Sequence, residues 1–348
     1  MSKFYKNLKN SKSPYIIAEI GSNHNGKTYL AKKLILSAKK AGADCVKFQS
    51  WSVDTIFSKK KYDDNYFFND DYRNRKDTNL KKIVKKYSFS EKQLLSMSNF
   101  CKKINIDFAT TPFSLSELNF LKKKLKPKFI KVASMDLNNH PFLKQIGKKK
   151  LPILLSTGLS TIKEINEALK ILYKTGSKEI ILLHCISKYP TPPKETNLNA
   201  LISLKQKFRL PIGFSDHTLG TLAPSIASCL GAKVIEKHFT LSKKMKGWDH
   251  KVSAEPLELK RIIDETKLVH KYLGKKIFKR PESKKIIQEF RRSAIANRDL
   301  KIGDQISMSD ITFKRPGTGI SPDKIYKYVG KKIKKNIKND TVIKKNFF

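Results

Sequence analysis

Basic and hydroxyl side chains recur at the ends of short apolar runs in this sequence. Lys47 and Lys131 each lie in such a run, beside others that end in hydroxyl residues. The hydroxyl residues are Thr111, Ser134, Ser156 and Ser215. Two ammonium groups among hydroxyl donors suit an anion that carries both a phosphate and a carboxylate. If the fold brings these runs together, the sequence predicts a site for such an anion.

Two histidines, His217 and His238, follow consecutive apolar runs. A lone histidine is more often a satisfied core or loop residue, but two on adjacent runs could equally bind a divalent ion such as Mn²⁺, completed by a carboxylate and water. Glu19 is a candidate general acid or base, or a structural partner of the cationic residues. The residues alone also allow a Schiff-base aldolase that uses Lys131 or Lys237.

The elements that must position these residues form a repeated unit, in which a short β-rich run is followed by an amphipathic helical segment such as 29–43, 90–104 or 161–176. The predicted strands are Tyr15–Ile20, Cys45–Gln49, Asp107–Thr111, Phe129–Ala133, Pro152–Ser156, Glu179–Cys185, Pro211–Ser215 and Val234–Phe239. Eight such units predict an α/β fold of the (β/α)8 TIM-barrel type. A doubly wound sheet is less favoured because GSNHNG at 21–26 is not a GxGxxG fingerprint. In a barrel the carboxyl ends of all strands open at one mouth, so the candidate residues converge there.

Three regions are expected along the chain: a barrel over 1–273, a Lys-rich linker over 274–290, and a small β-rich module over 291–348. The last barrel helix is predicted over 257–273. The long aromatic insertion 50–87 follows the second strand and is typical of a lid or an interface.

The charge of the chain does not by itself indicate a nucleic-acid partner. The 348 residues include 73 Lys and Arg against 30 Asp and Glu, a net charge of +43. Only nine of the basic residues are Arg, whereas base readout favours Arg, so most lysines are expected to form a solvated surface. Four scattered cysteines favour reduced thiols in a cytoplasmic protein, and no apolar run is long enough to span a membrane.

Several segments occur in the order found in the sialic acid synthase family. They are IAEIGSNHNG, AGADCVKFQ, TTPF, IKVAS, STGLS, LHCISKYPTP, GFSDHT, EKHFTL and DHKVSAEP, and the tail RPGTGIS resembles the C-terminal antifreeze-protein-like (SAF) module of that family. The resemblance implies a TIM barrel with an SAF domain and a domain-swapped homodimer. It also implies condensation of phosphoenolpyruvate with N-acetylmannosamine or a related N-acetylated hexose, to give a nine-carbon 2-keto acid and phosphate.

The resemblance also assigns roles residue by residue. Phosphoenolpyruvate would be held by Lys47, Thr111, Lys131, Ser134, Ser156 and Ser215, and Mn²⁺ or Mg²⁺ by His217 and His238. The catalytic and sugar-binding set would be Glu19, Gln49, Tyr189 and Asp249, joined by Arg315 from the small module of the partner. The lysines then act as electrostatic clamps, which ranks the aldolase below the synthase. Trp248 stands where the family commonly has proline, so a di-N-acetylated acceptor leading to legionaminic or pseudaminic acid is an alternative.

Overall fold

The computed structural model describes residues 1–64, 79–275 and 277–348. The chain divides into two compact units, Met1–Gly274 and Lys275–Phe348. Part of the insertion predicted as a lid or interface lies outside the described residues. No helix among the described residues is long and apolar enough to cross a membrane.

Eight parallel strands form the first unit's sheet. They are β1 Tyr15–Glu19, β2 Cys45–Gln49, β3 Asp107–Thr111, β4 Ile130–Val132, β5 Ile153–Ser156, β6 Ile180–Cys185, β7 Ile212–Asp216 and β8 Val234–His238. Their order is β3-β2-β1-β8-β7-β6-β5-β4, and β3 lies beside β4, so the sheet nearly closes into a TIM-type barrel. The predicted strands agree with these bounds to within one residue at each end.

One helix precedes the first strand, and the others follow strands on the outside of the barrel. The helices are α1 Lys3–Asn10, α2 Thr28–Ala41, α3 Val53–Ile56, α4 Lys59–Asp64, α5 Leu80–Tyr87, α6 Glu91–Lys103, α7 Leu115–Phe120, α8 His140–Gly147, α9 Ile162–Lys174, α10 Pro193–Thr196, α11 Ala200–Phe208, α12 Leu222–Cys229 and α13 Pro256–Leu273. Local signals in the sequence fix their ends. Ser90 and Thr161 form capping boxes at the starts of α6 and α9, and Gly42 ends α2 in the left-handed conformation.

The barrel interior changes from apolar to polar along its axis. Near the amino-terminal ends of the strands it is filled by apolar residues such as Ile17 and Val234, and Tyr5 and Leu8 of α1 pack against them. Side chains of a strand alternate between its two faces, so on β8 the interior positions after Val234 are Glu236 and His238. Because of this alternation, charged side chains lie at the carboxyl-terminal mouth of the barrel, and apolar side chains fill its amino-terminal end.

The second unit is a small β-rich module with a helix at its start. Its elements are α14 Lys284–Phe290 and the antiparallel pair β9 Ser293–Ala296 and β10 Ile311–Lys314. Its own core contains Leu300, Ile325 and Ile337. The sequence analysis expects a linker over 274–290, and the structure builds α14 in the second half of that range because Ser283 caps the helix.

Candidate active site

A cavity of about 280 Å³ lies at the carboxyl-terminal mouth of the barrel. The barrel residues to which the family resemblance gives roles all line it: Glu19, Lys47, Gln49, Thr111, Lys131, Ser134, Ser156, Tyr189, Ser215, His217, His238 and Asp249. They come from different strands and the loops that follow them, so the barrel topology brings together residues that are far apart in sequence.

A buried network of opposite charges forms the floor of this cavity. The Lys47 ammonium contacts the Glu19 carboxylate, donates to Thr111 Oγ1 at 2.9 Å and lies 3.9 Å from Glu236 Oε2. Lys131 Nζ lies 3.1 Å from Glu236 Oε1. Glu236 therefore pairs with both lysines, which keeps two buried ammonium groups compensated.

The pKa values of these groups follow from burial and from one another. Burial by itself would raise the pKa of Glu236, but the ammonium groups of Lys131 and Lys47 outweigh it and lower that pKa to about 2. For Glu19, burial is the largest effect and raises the pKa, opposed by Lys47 and reinforced by Glu236. Glu236 is thus a fixed counter-charge, whereas Glu19 has the raised pKa that a general acid or base needs.

Hydroxyl groups surround the lysines and leave room for an anion. Ser215 Oγ donates to Glu236 Oε1 at 3.1 Å, and Ser156 Oγ is buried with no hydrogen-bond partner among the described residues. A Cβ on Gly158 would lie only 2.7 Å from Ser134 Oγ and 2.8 Å from Ser187 Oγ. The lack of a side chain at Gly158 keeps these hydroxyls available, and a buried unpartnered hydroxyl fits a ligand that accepts hydrogen bonds.

The two predicted metal ligands lie side by side. The rings of His217 and His238 have their centroids 5.5 Å apart, and His238 Nδ1 lies 3.9 Å from Asp249 Oδ2. His217 Nδ1 donates to the Ile186 carbonyl at 2.7 Å, so the Nε2 lone pair is the one that could bind a metal ion. Burial, followed by the nearby His238, lowers the pKa of His217 to about 3, so the ring is neutral.

The donor set of this pair fits a borderline divalent ion. No group of three His, Cys, Asp or Glu ligands is formed within 1–64, 79–275 and 277–348, so water or substrate oxygens would have to complete the coordination of any ion held there.

A further part of the cavity lining is aromatic and polar. Trp51 and Trp248 meet edge to face with centroids 5.8 Å apart, and Trp51 Nε1 donates to Gln49 Oε1 at 2.7 Å. The Tyr189 ring lies 4.0 Å from the His217 ring, centroid to centroid. This part of the lining offers stacking surface and hydrogen bonds, which suits a partly polar organic molecule beside the anion pocket.

Comparison with known proteins identifies the family of this chain. The sequence pattern of the NeuB family matches residues 34–278, and that of the SAF domain matches residues 291–348. The chain belongs to the NeuB family of sialic acid synthases. It is 42% identical over 336 residues to the N,N'-diacetyllegionaminic acid synthase of Campylobacter jejuni, covering 96% of this chain and 99% of that protein.

Two further NeuB relatives extend the comparison to animals and to a solved structure. The N-acetylneuraminate-9-phosphate synthase of Drosophila melanogaster is 34% identical, with 95% of each chain covered. The crystal structure of the N-acetylneuraminic acid synthetase of Leptospira borgpetersenii, in complex with citrate, superposes with a TM-score of 0.68 at 34% identity. It covers 79% of this chain and 90% of that one. This chain is therefore an enzyme of the sialic acid synthase family with a TIM barrel and an SAF domain.

Two residues stand apart from the sequence-based site in this NeuB protein. Lys237, the alternative Schiff-base lysine, faces away from the cavity because it alternates with Glu236 and His238, and its Nζ lies 2.6 Å from Asp216 Oδ2. Because Lys237 does not line the cavity, the hypothesis that it is the Schiff-base lysine is wrong. Arg315 belongs to the second unit, where its guanidinium lies 5.0 Å from the centroid of the Phe290 ring.

Sequence reasoning gave no role to Glu236, although the signal was present. Once His238 is assigned to the cavity, the two-residue period of a strand places Glu236 in it as well. The aromatic wall residue Trp51 had no comparable signal, since it lies at the start of a long insertion whose folding the sequence pattern does not determine.

Proposed function

We propose that the protein condenses phosphoenolpyruvate with an N-acetylated, mannose-type sugar aldehyde to give a nine-carbon 2-keto acid and phosphate. The observation that carries the proposal is the pair of buried lysines, Lys47 and Lys131, among hydroxyls and beside the histidine pair in one cavity. Phosphoenolpyruvate carries a carboxylate and a phosphate, which the two ammonium groups would clamp. The family membership supports the same reaction class.

The chemistry follows from where the side chains would hold the reactants. Lys47 and Lys131, with Thr111 and Ser156, would fix phosphoenolpyruvate so that its C3 forms a bond to the sugar aldehyde carbon. The C2–C3 π electrons form this bond and leave an oxocarbenium ion at C2, while the aldehyde oxygen takes a proton from Glu19 and becomes a hydroxyl. The lysines would stabilise the transferring anion without forming a covalent bond.

The second half of the reaction breaks the bond to phosphate. Water adds at C2 and gives up a proton to Glu19, whose raised pKa suits that task. The C2–O bond to phosphate then breaks, phosphate leaves with the proton of the C2 hydroxyl, and C2 becomes the keto group. A divalent ion such as Mn²⁺ or Mg²⁺, held by His217 and His238, would supply Lewis-acid polarisation of the aldehyde oxygen.

For the acceptor, we propose a sugar with two acetamido groups that leads to a legionaminic-type acid. Trp51, Phe57, Val84 and Trp248 make one side of the cavity apolar, which favours acetamido methyl groups over hydroxyls. Identity to the diacetyllegionaminic acid synthase of C. jejuni, 42%, exceeds that to the neuraminate-phosphate synthase of Drosophila, 34%. N-acetylmannosamine is the alternative acceptor.

The test is phosphate release across a panel of acceptor sugars, with the mass of each product. We expect release only when phosphoenolpyruvate and an acceptor are both present, and fastest with the di-N-acetylated manno sugar. Fastest turnover of N-acetylmannosamine would favour the neuraminate route instead. A lysine adduct trapped by borohydride with pyruvate would support a Schiff-base aldolase in place of the synthase, and full activity of Lys131→Met would count against that aldolase.

We further propose that the enzyme is a domain-swapped homodimer in which Arg315 serves the partner's cavity. The guanidinium would pair with the acidic part of the bound reactants. Mixing Lys131→Met with Arg315→Ala subunits tests this, because one site of each mixed dimer would regain both residues. Recovery of activity on mixing supports the swap, and a mixture no more active than its components contradicts it.

A further inference from the structure

The loop that follows β8 carries two of the cavity's wall residues. This β8 loop, residues 240–253, contains Trp248 and Asp249. Its base is closed by backbone bonds, from Thr240 N to the Ala254 carbonyl at 3.0 Å and from Ala254 N to the His238 carbonyl at 2.7 Å. These bonds fix the two ends of the loop but leave the position of its far end to other contacts.

A buried imidazole and an amide tie the far end of the β8 loop to the loop after β1. His250 Nδ1 lies 2.7 Å from Thr240 Oγ1, and His250 Nε2 lies 3.2 Å from Asn25 Oδ1. Asn25 Nδ2 donates to the Lys246 carbonyl at 2.9 Å. An amide oxygen only accepts, so Nε2 carries the ring proton and Nδ1 accepts from the Thr240 hydroxyl. Asn25 thus uses both ends of its side chain to hold this loop.

The glycine beside Trp248 packs directly on this bridge. A Cβ at Gly247 would lie 2.3 Å from His250 Cδ2 and 2.5 Å from Asn25 Oδ1. No larger residue fits there unless the bridge moves, so the backbone that leads into Trp248 is held in place by packing as well as by hydrogen bonds.

Asp249 is held from the same side. Ser22, in the loop after β1, donates from Oγ to Asp249 Oδ2 at 2.8 Å, and Ser253 Oγ donates to the Asp249 carbonyl at 2.6 Å. The anion pocket depends on different contacts, since Lys47 and Lys131 are held by carboxylates on β1 and β8. A disturbance of the bridge should therefore reach the acceptor side of the cavity first.

We propose that Asn25 and His250 form a latch that positions Trp248 and Asp249 against the acceptor sugar. Asn25 and His250 are then positioning residues that determine specificity for the acceptor. The proposal rests on the proposed function. Neither latch residue lines the cavity among the described residues, so both act through the loop they hold. The latch extends the proposed function, because it assigns the discrimination between acceptor sugars to contacts outside the cavity.

The kinetic test separates the two substrates. His250→Asn, Asn25→Ala and the double variant are compared with His270→Asn, a control on α13 outside the cavity. We expect KM for the acceptor to rise about tenfold or more, with KM for phosphoenolpyruvate unchanged within about twofold. The double variant should be no worse than the more severe of the two single ones, because the two residues act as one unit. Equal rises in both KM values, or additive losses, would overturn the latch.

A second readout does not depend on turnover. The chain has two tryptophans, Trp51 and Trp248, so in a Trp51→Phe background the fluorescence reports Trp248 alone. Adding His250→Asn should make Trp248 more accessible to acrylamide, with a quenching constant raised about twofold or more. An unchanged quenching constant would overturn the latch even if the enzyme proved to have another substrate. Absence of acceptor-dependent phosphate release in the wild type would instead refute the proposed function.

Gly247→Ala keeps both hydrogen-bonding side chains and disturbs the latch only by its added methyl group. It guards against misfolding of the His250 variant. We expect the same change, a higher KM for the acceptor and greater quenching of Trp248. A Gly247→Ala enzyme with wild-type values of both quantities would contradict the latch.

Discussion

Replacing Glu236 by Gln removes the counter-charge that Lys47 and Lys131 share while keeping the shape of the side chain. In the wild type, Glu236 lies 3.1 Å from Lys131 Nζ and 3.9 Å from Lys47 Nζ, and it is nearly fully buried. In the variant Lys47 keeps its contact with Glu19, whereas Lys131 loses the carboxylate that lies 3.1 Å from it. We expect the folded protein to be less stable and the cavity to bind small anions more tightly.

The magnitude follows from the distances and the burial. With an effective dielectric constant of about 20, the attraction at these separations is about 5 kcal/mol for Lys131 and about 4 kcal/mol for Lys47. Much of it is offset by desolvation, and removing one partner of a buried pair typically costs about 3–5 kcal/mol. For a unit of this size that corresponds to a fall in Tm of roughly 6–10 °C. A phosphate dianion in the pocket would restore part of the loss, because a ligand stabilises the state that binds it.

The assay is thermal unfolding of the full chain, with and without inorganic phosphate or phosphoenolpyruvate. Asp264→Asn is the control, since Asp264 pairs with Lys260 on the exposed face of α13 and its loss should shift Tm by only about 1 °C. We expect phosphate to raise the Tm of Glu236→Gln by more than it raises that of the wild type. A variant as stable as the wild type, or an equal response of both proteins to phosphate, would refute the counter-charge role.

Three further predictions address the metal pair, the rejected lysine and the second unit. Chelation by EDTA should abolish acceptor-dependent phosphate release, and added Mn²⁺ should restore it. His217→Gln should lower the affinity for Mn²⁺ about tenfold or more in a direct titration. Activity that is unaffected by EDTA would contradict a metal role for the histidine pair. Lys237→Met should lower Tm by leaving the buried Asp216 carboxylate without its ion pair, and neither this variant nor the wild type should give a borohydride-trapped adduct with pyruvate. Burial would raise the pKa of Asp310, but hydrogen bonds from Ser307 and Arg298 outweigh it and lower that pKa. The stability that this carboxylate provides is present above its pKa in the unfolded chain and is lost as the pH falls through its pKa in the folded protein. Asp310→Asn should therefore speed hydrogen exchange in the second unit at pH 7 and have less effect near pH 3. Equal effects at both pH values would contradict the assignment.

The barrel was predictable because its signals are local and repeated. Alternating strands and amphipathic helices fix the number of units, and capping residues such as Ser90 and Thr161 fix helix starts. Convergence of Lys47 and His238 at one mouth then follows from the topology, without any knowledge of the packing.

What the sequence left open depends on contacts between distant segments. The pairing of Glu236 with two lysines depends on how the side chains on β2, β4 and β8 meet inside the barrel, which no pattern along the chain specifies. Likewise, the bridge from Asn25 to His250 joins loops more than 200 residues apart. Within the insertion 50–87, the composition predicted a lid or an interface, and the helices α3 and α5 and the packing of Trp51 could not be read from it.

The most direct test of the central claim is the fate of the oxygen that bridges C2 and phosphorus in phosphoenolpyruvate. With that oxygen labelled as ¹⁸O and an N-acetylated manno sugar present, mass spectrometry of both products locates the label. The account predicts that the released phosphate carries the label and that the nine-carbon acid does not. Label retained in the organic acid, or phosphate released equally without the sugar, would contradict the assignment of this cavity to phosphoenolpyruvate condensation.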